Sequence, residues 1–196
     1  MINFEELGRQ IAEDILKEAS PDVGPCFYPG KFKPPHKGHF EAAKYLASKT
    51  YINKVYVIIS NVTKYGITAE DSLYIWTEYL KAEPNPKIEV TISKESTPIK
   101  DVFAFMDQNR EVSPIYVAGA GEEVEGLGYF DALEKRFPNR VRKEVIPDQF
   151  ERISATQMRA AIKTGNFEEF AKFVPDSAYN KGAAKDIFGR LLKILK

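Results

Sequence analysis

The sequence predicts an α/β protein with a Rossmann-like, doubly wound sheet of about five parallel strands and helices on both faces, together with an N-terminal helix and a C-terminal helical tail. Three observations predict this class. Apolar, β-branched runs alternate with helical patterns along the chain, which is typical of βαβ units. The run Lys54–Ser60 (KVYVIIS) is apolar and β-branched, as expected for a parallel strand that is buried on both sides. The 196 residues are 43% hydrophobic and 29% charged, a balance that favours a globular chain with its own core.

The predicted elements begin with a helix over residues 3–19, where apolar side chains recur at helical spacing from Phe4 to Ile15. A segment rich in proline and glycine ends this helix. A short apolar strand over Cys26–Tyr28 follows, and the next helix is predicted from His39 to Lys49. Further strands are predicted at residues 54–60, 87–93, 115–118 and 141–146, and further helices at 68–80, 98–110, 126–136, 155–164, 167–173 and 183–195.

Two helix starts carry clear local signals. Thr68 is predicted as an N-cap, and Asp71 stands at the position that completes a capping box. Pro98 suits the first position of a helix, where its missing N–H removes no hydrogen bond. Both helices would begin just after predicted strands, as the alternating architecture requires.

We divide the chain into an N-terminal helix (1–22), a Rossmann-like domain (23–165) and a C-terminal helical extension (166–196) that packs on the domain. The tail DIFGRLLKILK is basic and amphipathic, so it could also touch a membrane surface or a partner subunit. We expect its stripe of Ile187, Leu191 and Ile194 to pack on its own domain, as such stripes commonly do.

Composition excludes several classes of function. With 28 basic and 28 acidic side chains, the net charge is zero, which disfavours nucleic acid as the main partner. The single cysteine, Cys26, excludes an internal disulfide and fits a reducing compartment. No window reaches the roughly 18 apolar residues of a membrane span, and the acidic N-terminus does not resemble a secretory signal. We therefore expect a cytoplasmic protein without a membrane partner; an oligomer is possible.

Both histidines of the chain, His36 and His39, lie in the segment GKFKPPHKGHFEAA, residues 30–43. This segment leaves the first strand and enters a helix at the edge of the sheet where doubly wound proteins bind ligands. Pro34-Pro35 stiffens the turn, so the imidazoles after it are held in place. Their charge can change near neutral pH.

The remaining residues of this segment favour a phosphate site. Gly30 would let backbone approach a ligand, and Gly38 would remove bulk at a helix start. The first amide N–H groups of that helix lack internal partners and attract anions. Three lysines add positive charge: Lys31, Lys33 and Lys37.

The two histidines have two other interpretations. In the first, His39 only caps the helix and the lysines are solvated. In the second, the histidines bind zinc, but neither Cys26 nor a nearby carboxylate completes the usual three or four ligands. We favour the phosphate site and assign no protein metal ligand.

The segment GKFKPPHKGH resembles the HxGH signature of the nucleotidyltransferase superfamily (cytidylyltransferase-like), and is most similar to the GRFQPxHxGH form of nicotinamide-mononucleotide adenylyltransferases. A second signature of that superfamily has the form ISSTxxR, and Ile153–Arg159 (ISATQMR) resembles it. The segment GITAEDSLYIW is also similar to these enzymes. The resemblance covers about residues 25–165, and two motifs in the right order are more specific than either alone.

The resemblance implies roles for individual residues. His36 and His39 would hydrogen-bond the phosphates of a nucleotide and stabilise charge at the α-phosphorus. Ser154 and Thr156 would bind the β- and γ-phosphates, and Arg159 would neutralise the departing pyrophosphate. We place Lys33 with the catalytic residues; the nucleotide-binding residues would further include Gly30, Lys31, Phe32, Gly38 and Gly119. Taken alone, ISATQMR would be interpreted as an ordinary capped helix with a surface arginine, and it is the pairing with the first motif that favours the functional role.

The implied reaction transfers a nucleoside monophosphate from a triphosphate to a phosphorylated small molecule and releases pyrophosphate. ATP is favoured over CTP and nicotinamide mononucleotide is the first candidate acceptor; phosphopantetheine, FMN and sugar or polyol phosphates are alternatives. Mg²⁺ would travel with the triphosphate. The sequence departs from the family pattern at three positions. Lys31 stands where the pattern has arginine, Lys33 stands where it has glutamine or aspartate, and Ala155 replaces a serine. The aspartate-assisted metal contact of some relatives is therefore excluded.

Several weaker assignments stay open. The loop Val117–Glu123 could read a base or be merely flexible. Trp76 could stack on a substrate, but its spacing favours the core. Ser60 and Asn61 are weak candidate contacts. Two rival functions are a non-catalytic nucleotide sensor and a relative of the aminoacyl-tRNA synthetases; the short chain, its zero net charge and the lack of a KMSKS-type loop disfavour the latter.

Overall fold

A computed structural model describes residues 23–120, 128–150 and 153–195. The helix predicted over residues 3–19 lies outside the described residues, as does most of the loop after Ala120. The division at residues 22 and 165 stays a prediction.

Within the described residues, five parallel strands form one sheet, in the order β3-β2-β1-β4-β5. The strand order reverses at β1, because β2 and β3 lie on one side of β1 whereas β4 and β5 lie on its other side. Such a switch point opens a crevice at the carboxyl ends of the strands. The strands are β1 (Gly24–Gly30), β2 (Ile52–Ile59), β3 (Ile88–Ile92), β4 (Ile115–Ala120) and β5 (Val141–Ile146).

Helices cover both faces of the sheet, which confirms the predicted fold class. Side chains alternate between the faces, so that Cys26 and Tyr28 of β1 join one core cluster while Phe27 joins the other. The first face carries α1 (Lys37–Ser48), α2 (Ala69–Ala82) and, after β5, α5 (Ala155–Lys163), α6 (Phe167–Ala171), α7 (Asp176–Asn180) and α8 (Ala183–Leu195); the second carries α3 (Pro98–Gln108) and α4 (Tyr129–Arg136).

Most predicted elements are confirmed, with small changes at their ends. The fifth strand occupies the predicted residues, whereas α1 begins at Lys37 instead of His39. The five-residue helix α7 was not predicted, because one turn after a proline carries no periodic apolar pattern. Pro98 is the first residue of α3, as predicted.

The capping box at the start of α2 is confirmed. The Asp71 N–H donates to Thr68 Oγ1 over 3.1 Å, and the Thr68 N–H donates to Asp71 Oδ2 over 3.0 Å. Two orphan donors of the helix start are thereby satisfied.

The C-terminal helix packs on the domain, as expected. Ile187 and Leu191 are fully buried, and Ile194 packs against the same core. Arg190 of α8 donates to Asp71 Oδ1 over 2.8 Å, so the tail also holds the capping residue of α2. Throughout the described part of the chain, no helix has the length and apolar character to cross a bilayer.

Candidate active site

A cavity of about 980 Å³ opens at the carboxyl ends of β1 and β2, beside the starts of α3 and α5. Gly30 ends β1 and Ser60 follows β2, while Thr97 precedes α3 and Ala155 opens α5. The cavity therefore lies at the carboxyl edge of the sheet, where the sequence analysis predicts that a ligand binds.

The fold brings residues of both sequence motifs to this cavity. His39 and Lys33 line it from the first motif and Arg159 lines it from the second, although more than a hundred positions separate the motifs. Gly30, Lys31 and Phe32 also line it. Five predicted site residues are not among the described residues that line the cavity: His36, Gly38, Gly119, Ser154 and Thr156.

All charged side chains described in the cavity wall are positive. Its ionisable side chains include Lys31, Lys33, Lys64 and Arg159, and no carboxylate is found among the described residues that line it. A chain with zero net charge thus places four cations of its described residues around one cavity. Such a wall favours a polyanionic ligand.

The two imidazoles are stacked face to face. Their ring centroids lie 3.6 Å apart with an angle of 20° between the planes. The backbone N–H of His36 donates to His39 Nδ1 over 3.2 Å. Because Nδ1 accepts this bond, the neutral His39 ring carries its proton on Nε2, which makes Nε2–H the donor available to a ligand.

Burial keeps both histidines neutral at physiological pH. It lowers the pKa of His36 to about 4. Burial and the neighbouring His36 lower the pKa of His39 well below its usual value. Both rings are therefore neutral at physiological pH, and the charge change that was expected near neutrality occurs at acid pH instead.

His36 lies behind His39 instead of facing the cavity. Its residue surface is 4% exposed, and its Nδ1 has no hydrogen-bond partner within the described ranges. Its direct contact with phosphate stays a prediction. The geometry supports a role in which the His36 ring stacks on His39 and holds that ring in place.

The buried His36 predicts a pH-dependent stability. The unfolded chain takes up a proton on this ring below its usual pKa of about 6.5, whereas the folded chain resists until about pH 4. The free energy of unfolding should therefore fall as pH falls through this window, by up to about 3 kcal/mol from this group. Denaturant unfolding at several pH values, on the wild type and His36→Gln, measures the difference. Parallel stability curves for the two proteins would contradict the burial of a neutral His36.

Lys33 is anchored inside the wall. Its Nζ donates to the Thr68 carbonyl oxygen over 2.8 Å and to Ser72 Oγ over 3.3 Å. Burial lowers the pKa of Lys33 to about 8, although Glu70 and Asp71 act in the opposite direction. Lys33 is 4% exposed and two hydrogen bonds hold its Nζ, so it is a fixed cation in the cavity wall.

The other two lysines of the loop differ from each other. Lys31 is exposed and lines the cavity, and its contact with a nucleotide stays a prediction. Lys37 instead forms a surface ion pair of 3.5 Å with Asp176 of α7, and its N–H donates to the Phe173 carbonyl. The first amide of α1 is therefore occupied, which corrects the expectation that it stands free for an anion.

Arg159 connects the two motifs. Its Nη1 donates to the Lys33 carbonyl oxygen over 2.7 Å, and its Nη2 donates to Thr156 Oγ1 over 2.9 Å. Ser154 is the N-cap of α5 and accepts from the Thr156 N–H over 3.2 Å. In this structure Ser154 and Thr156 shape the helix start and hold Arg159; their contact with phosphates stays a prediction.

The glycines of the first motif are required by packing. A Cβ at Gly30 would lie 2.6 Å from the ring of Phe32, and one at Gly38 would lie 2.2 Å from the Phe150 carbonyl oxygen. Phe32 then places its ring edge-on to His39, with centroids 5.0 Å apart. Gly38 lies inside α1, so its role is the close approach of α1 to the segment that leads into the second motif.

Gly38→Ala should destabilise the fold by about 2 kcal/mol, because backbone must move to admit the methyl group. Gly189→Ala in α8 is the matched control, since its Cβ would meet nothing within 4 Å. We expect the control to be neutral or to gain roughly 0.5–1 kcal/mol. Equal denaturation midpoints for the two variants would contradict the packing role.

The weaker assignments from the sequence have different outcomes. Trp76 is fully buried among Phe32 and Phe40, which confirms that it belongs to the core. Ser60 lines the cavity, whereas Asn61 is exposed and donates to the Glu95 carbonyl. The loop Val117–Glu123 lies partly outside the described residues.

Sequence reasoning missed several residues of the wall. Lys64 and Tyr65 belong to a turn before α2, and Ser96 and Thr97 precede α3. The position of both segments after predicted strands was a usable signal, because loops at that edge reach the ligand. Tyr129 of α4 also lines the cavity, and no local pattern marks it.

No cluster of three or more metal-ligating side chains occurs in the described ranges 23–120, 128–150 and 153–195. Together with the absence of a carboxylate from the described wall, this means that the residues seen here would not hold a metal ion by themselves.

No family model and no curated protein matches the sequence. Among solved structures, the chain is similar to Plasmodium falciparum nicotinic acid mononucleotide adenylyltransferase complexed with APC, with 12% identity and a TM-score of 0.61 over 85% of this chain and 98% of that one. The same enzyme complexed with NaAD gives 14% identity and a TM-score of 0.59, at the same coverage of 85% and 98%. At these identities the likeness is one of fold, and it agrees with the predicted fold class.

Proposed function

We propose that the chain is an HxGH-type nucleotidyltransferase that moves AMP from ATP to a phosphorylated small molecule such as nicotinamide mononucleotide, with release of pyrophosphate. One observation carries this proposal: the cavity at the switch point is lined by four cations and by His39, with no carboxylate among its described residues. That wall suits a triphosphate, whose charge needs several cations at once.

The acceptor's own phosphate oxygen attacks the α-phosphorus in line, and the bond to the bridging oxygen of the pyrophosphate breaks. No protein nucleophile is required, so the side chains position the reactants and neutralise charge. His39 Nε2–H donates to a non-bridging oxygen of the α-phosphate as charge builds there. Arg159 binds the β- and γ-phosphates and stabilises the leaving pyrophosphate.

Lys33 supplies a fixed positive charge, and its third N–H is left for a phosphate oxygen once Thr68 and Ser72 have taken two. Mg²⁺ enters as part of the nucleotide substrate, held by phosphates and water, which agrees with a described wall that offers it no carboxylate.

The choice of ATP and a mononucleotide acceptor rests on the likeness of the first motif and of the fold. The solved structures named above are adenylyltransferases acting on nicotinic acid mononucleotide, and one of them holds NaAD. Cytidylyl transfer, and transfer to phosphopantetheine, FMN or a sugar or polyol phosphate, use the same chemistry and belong in the same test.

A screen of triphosphates against acceptors tests the proposal. Purified chain is incubated with Mg²⁺, each of ATP and CTP, and each acceptor class, and pyrophosphate release is measured with product masses. ATP with nicotinamide mononucleotide should give pyrophosphate and a dinucleotide, and the double variant His39→Ala/Arg159→Ala is the control. Pyrophosphate release from no pair would contradict the proposal. Triphosphate binding without turnover would instead favour the non-catalytic sensor.

A further inference from the structure

An aromatic ring covers the arginine of the second motif. The guanidinium carbon of Arg159 lies 3.9 Å from the ring centroid of Tyr65, and both residues line the cavity. Lys64 Nζ lies 4.9 Å from the same centroid. Tyr65 is 51% exposed, so its ring adds little to the hydrophobic core. A cation over a ring face at this distance is attracted by the ring quadrupole.

The backbone of Tyr65 is held in a conformation that side chains rarely adopt. Its φ is +56°, in the left-handed region. Lys64 and Ile67 fix the turn by exchanging hydrogen bonds of 3.1 and 3.0 Å, and Ile67 is fully buried. Gly66, also with positive φ, lies against Ile194 of the C-terminal helix. Neighbouring elements thus impose the strained backbone that puts the ring over Arg159.

Three contacts together fix the guanidinium of Arg159. The Lys33 carbonyl and Thr156 Oγ1 each accept one N–H, and Tyr65 covers one face of the plane. An arginine that is already oriented loses less rotamer freedom when it binds a phosphate.

We propose that Tyr65 is a positioning residue: its ring holds Arg159 in the orientation that receives the terminal phosphates of the bound nucleotide. This inference rests on the proposed function of the same cavity, and it predicts that the aromatic face, not the hydroxyl, is what matters. It also gives the C-terminal helix a role, since Ile194 supports the turn that carries the ring.

Tyr65→Leu and Tyr65→Phe test the proposal as a matched pair. Both replacements keep an unbranched Cβ, so both bear the same backbone strain as tyrosine. Inorganic pyrophosphate is the probe, and its dissociation constant is measured by calorimetry alongside kcat and KM. Tyr65→Leu should weaken pyrophosphate binding about fivefold and lower kcat by a similar factor, while Tyr65→Phe stays within about twofold of the wild type. The melting temperatures should be equal.

A double-mutant cycle separates positioning from a general structural role. In an Arg159→Ala background, Tyr65→Leu should have no further effect on pyrophosphate binding, because the ring acts through the guanidinium. Additive effects, or wild-type binding by Tyr65→Leu, would overturn the inference. An effect on ATP that is absent with pyrophosphate would also overturn it, since the ring would then stack on the base.

The outcomes also distinguish this inference from the proposed function. Coupling between Tyr65 and Arg159 in pyrophosphate binding, in a chain that shows no turnover, would keep the inference and reject the transferase. Turnover without coupling between Tyr65 and Arg159 would support the transferase and reject the inference about Tyr65. A wild-type chain that does not bind pyrophosphate would overturn both.

Discussion

His39→Ala should lower kcat by about 100-fold or more with saturating ATP and acceptor, which corresponds to about 3 kcal/mol of lost transition-state stabilisation. The reason is that His39 Nε2–H is a donor whose proton is fixed by the hydrogen bond at Nδ1. Charge on the α-phosphate oxygens increases towards the transition state, so this donor matters most there. We expect KM for ATP to change much less than kcat.

His39→Gln is the control for this prediction, because its amide can still donate to a phosphate oxygen. It should recover part of the lost rate. Both variants should stay folded, with a loss of stability of about 1 kcal/mol, because His39 Nδ1 accepts the His36 backbone N–H at the start of α1. A kcat for His39→Ala within threefold of the wild type would reject the assigned role.

Arg159→Ala should also lower kcat/KM by about 100-fold or more, since it removes the charge that receives the pyrophosphate. In contrast to His39→Ala, it should weaken binding of pyrophosphate as well as turnover. The effect extends beyond the charge, because Arg159 also donates to the Lys33 carbonyl and so ties the second motif to the first.

Arg159→Lys separates these two contributions. Lysine retains a positive charge but cannot donate to the Lys33 carbonyl, Thr156 Oγ1 and a phosphate in the same planar geometry. It should therefore fall between the wild type and alanine in kcat/KM. Steady-state kinetics with pyrophosphate as product inhibitor measure both quantities. Arg159→Ala with wild-type pyrophosphate inhibition would remove Arg159 from the site.

Much of the fold was predictable because its signals are local. The apolar run of β2, the capping box of Thr68 and the proline at the start of α3 each depend on a few neighbouring residues. Helix α7 was missed because a five-residue turn depends on packing against its neighbours instead of on its own periodicity.

The site was predictable to a lesser extent. A motif names residue types, but it does not say which hydrogen bonds they form. Lys37 was expected beside a phosphate and instead pairs with Asp176, which is 139 positions away. Gly38 was expected to make room at a helix start and instead makes room for the Phe150 carbonyl. Tyr65 carries no motif, and only the folded chain brings it to Arg159.

The collection of charge at one cavity is likewise a tertiary property. A net charge of zero disfavours nucleic acid, but it cannot reveal that Lys64 joins Lys31 and Lys33 around a wall without a described carboxylate. The sequence indicated a phosphate site through one loop; the folded chain adds a second loop and a second motif to it.

A crystal structure with a non-hydrolysable ATP analogue and Mg²⁺ would show directly where the triphosphate binds. The triphosphate should lie in the cavity at the carboxyl ends of β1 and β2, with an α-phosphate oxygen within hydrogen-bond distance of His39 Nε2 and the terminal phosphates on the guanidinium of Arg159. An analogue bound away from these two groups, or a cavity that stays empty at saturating concentration, would contradict it.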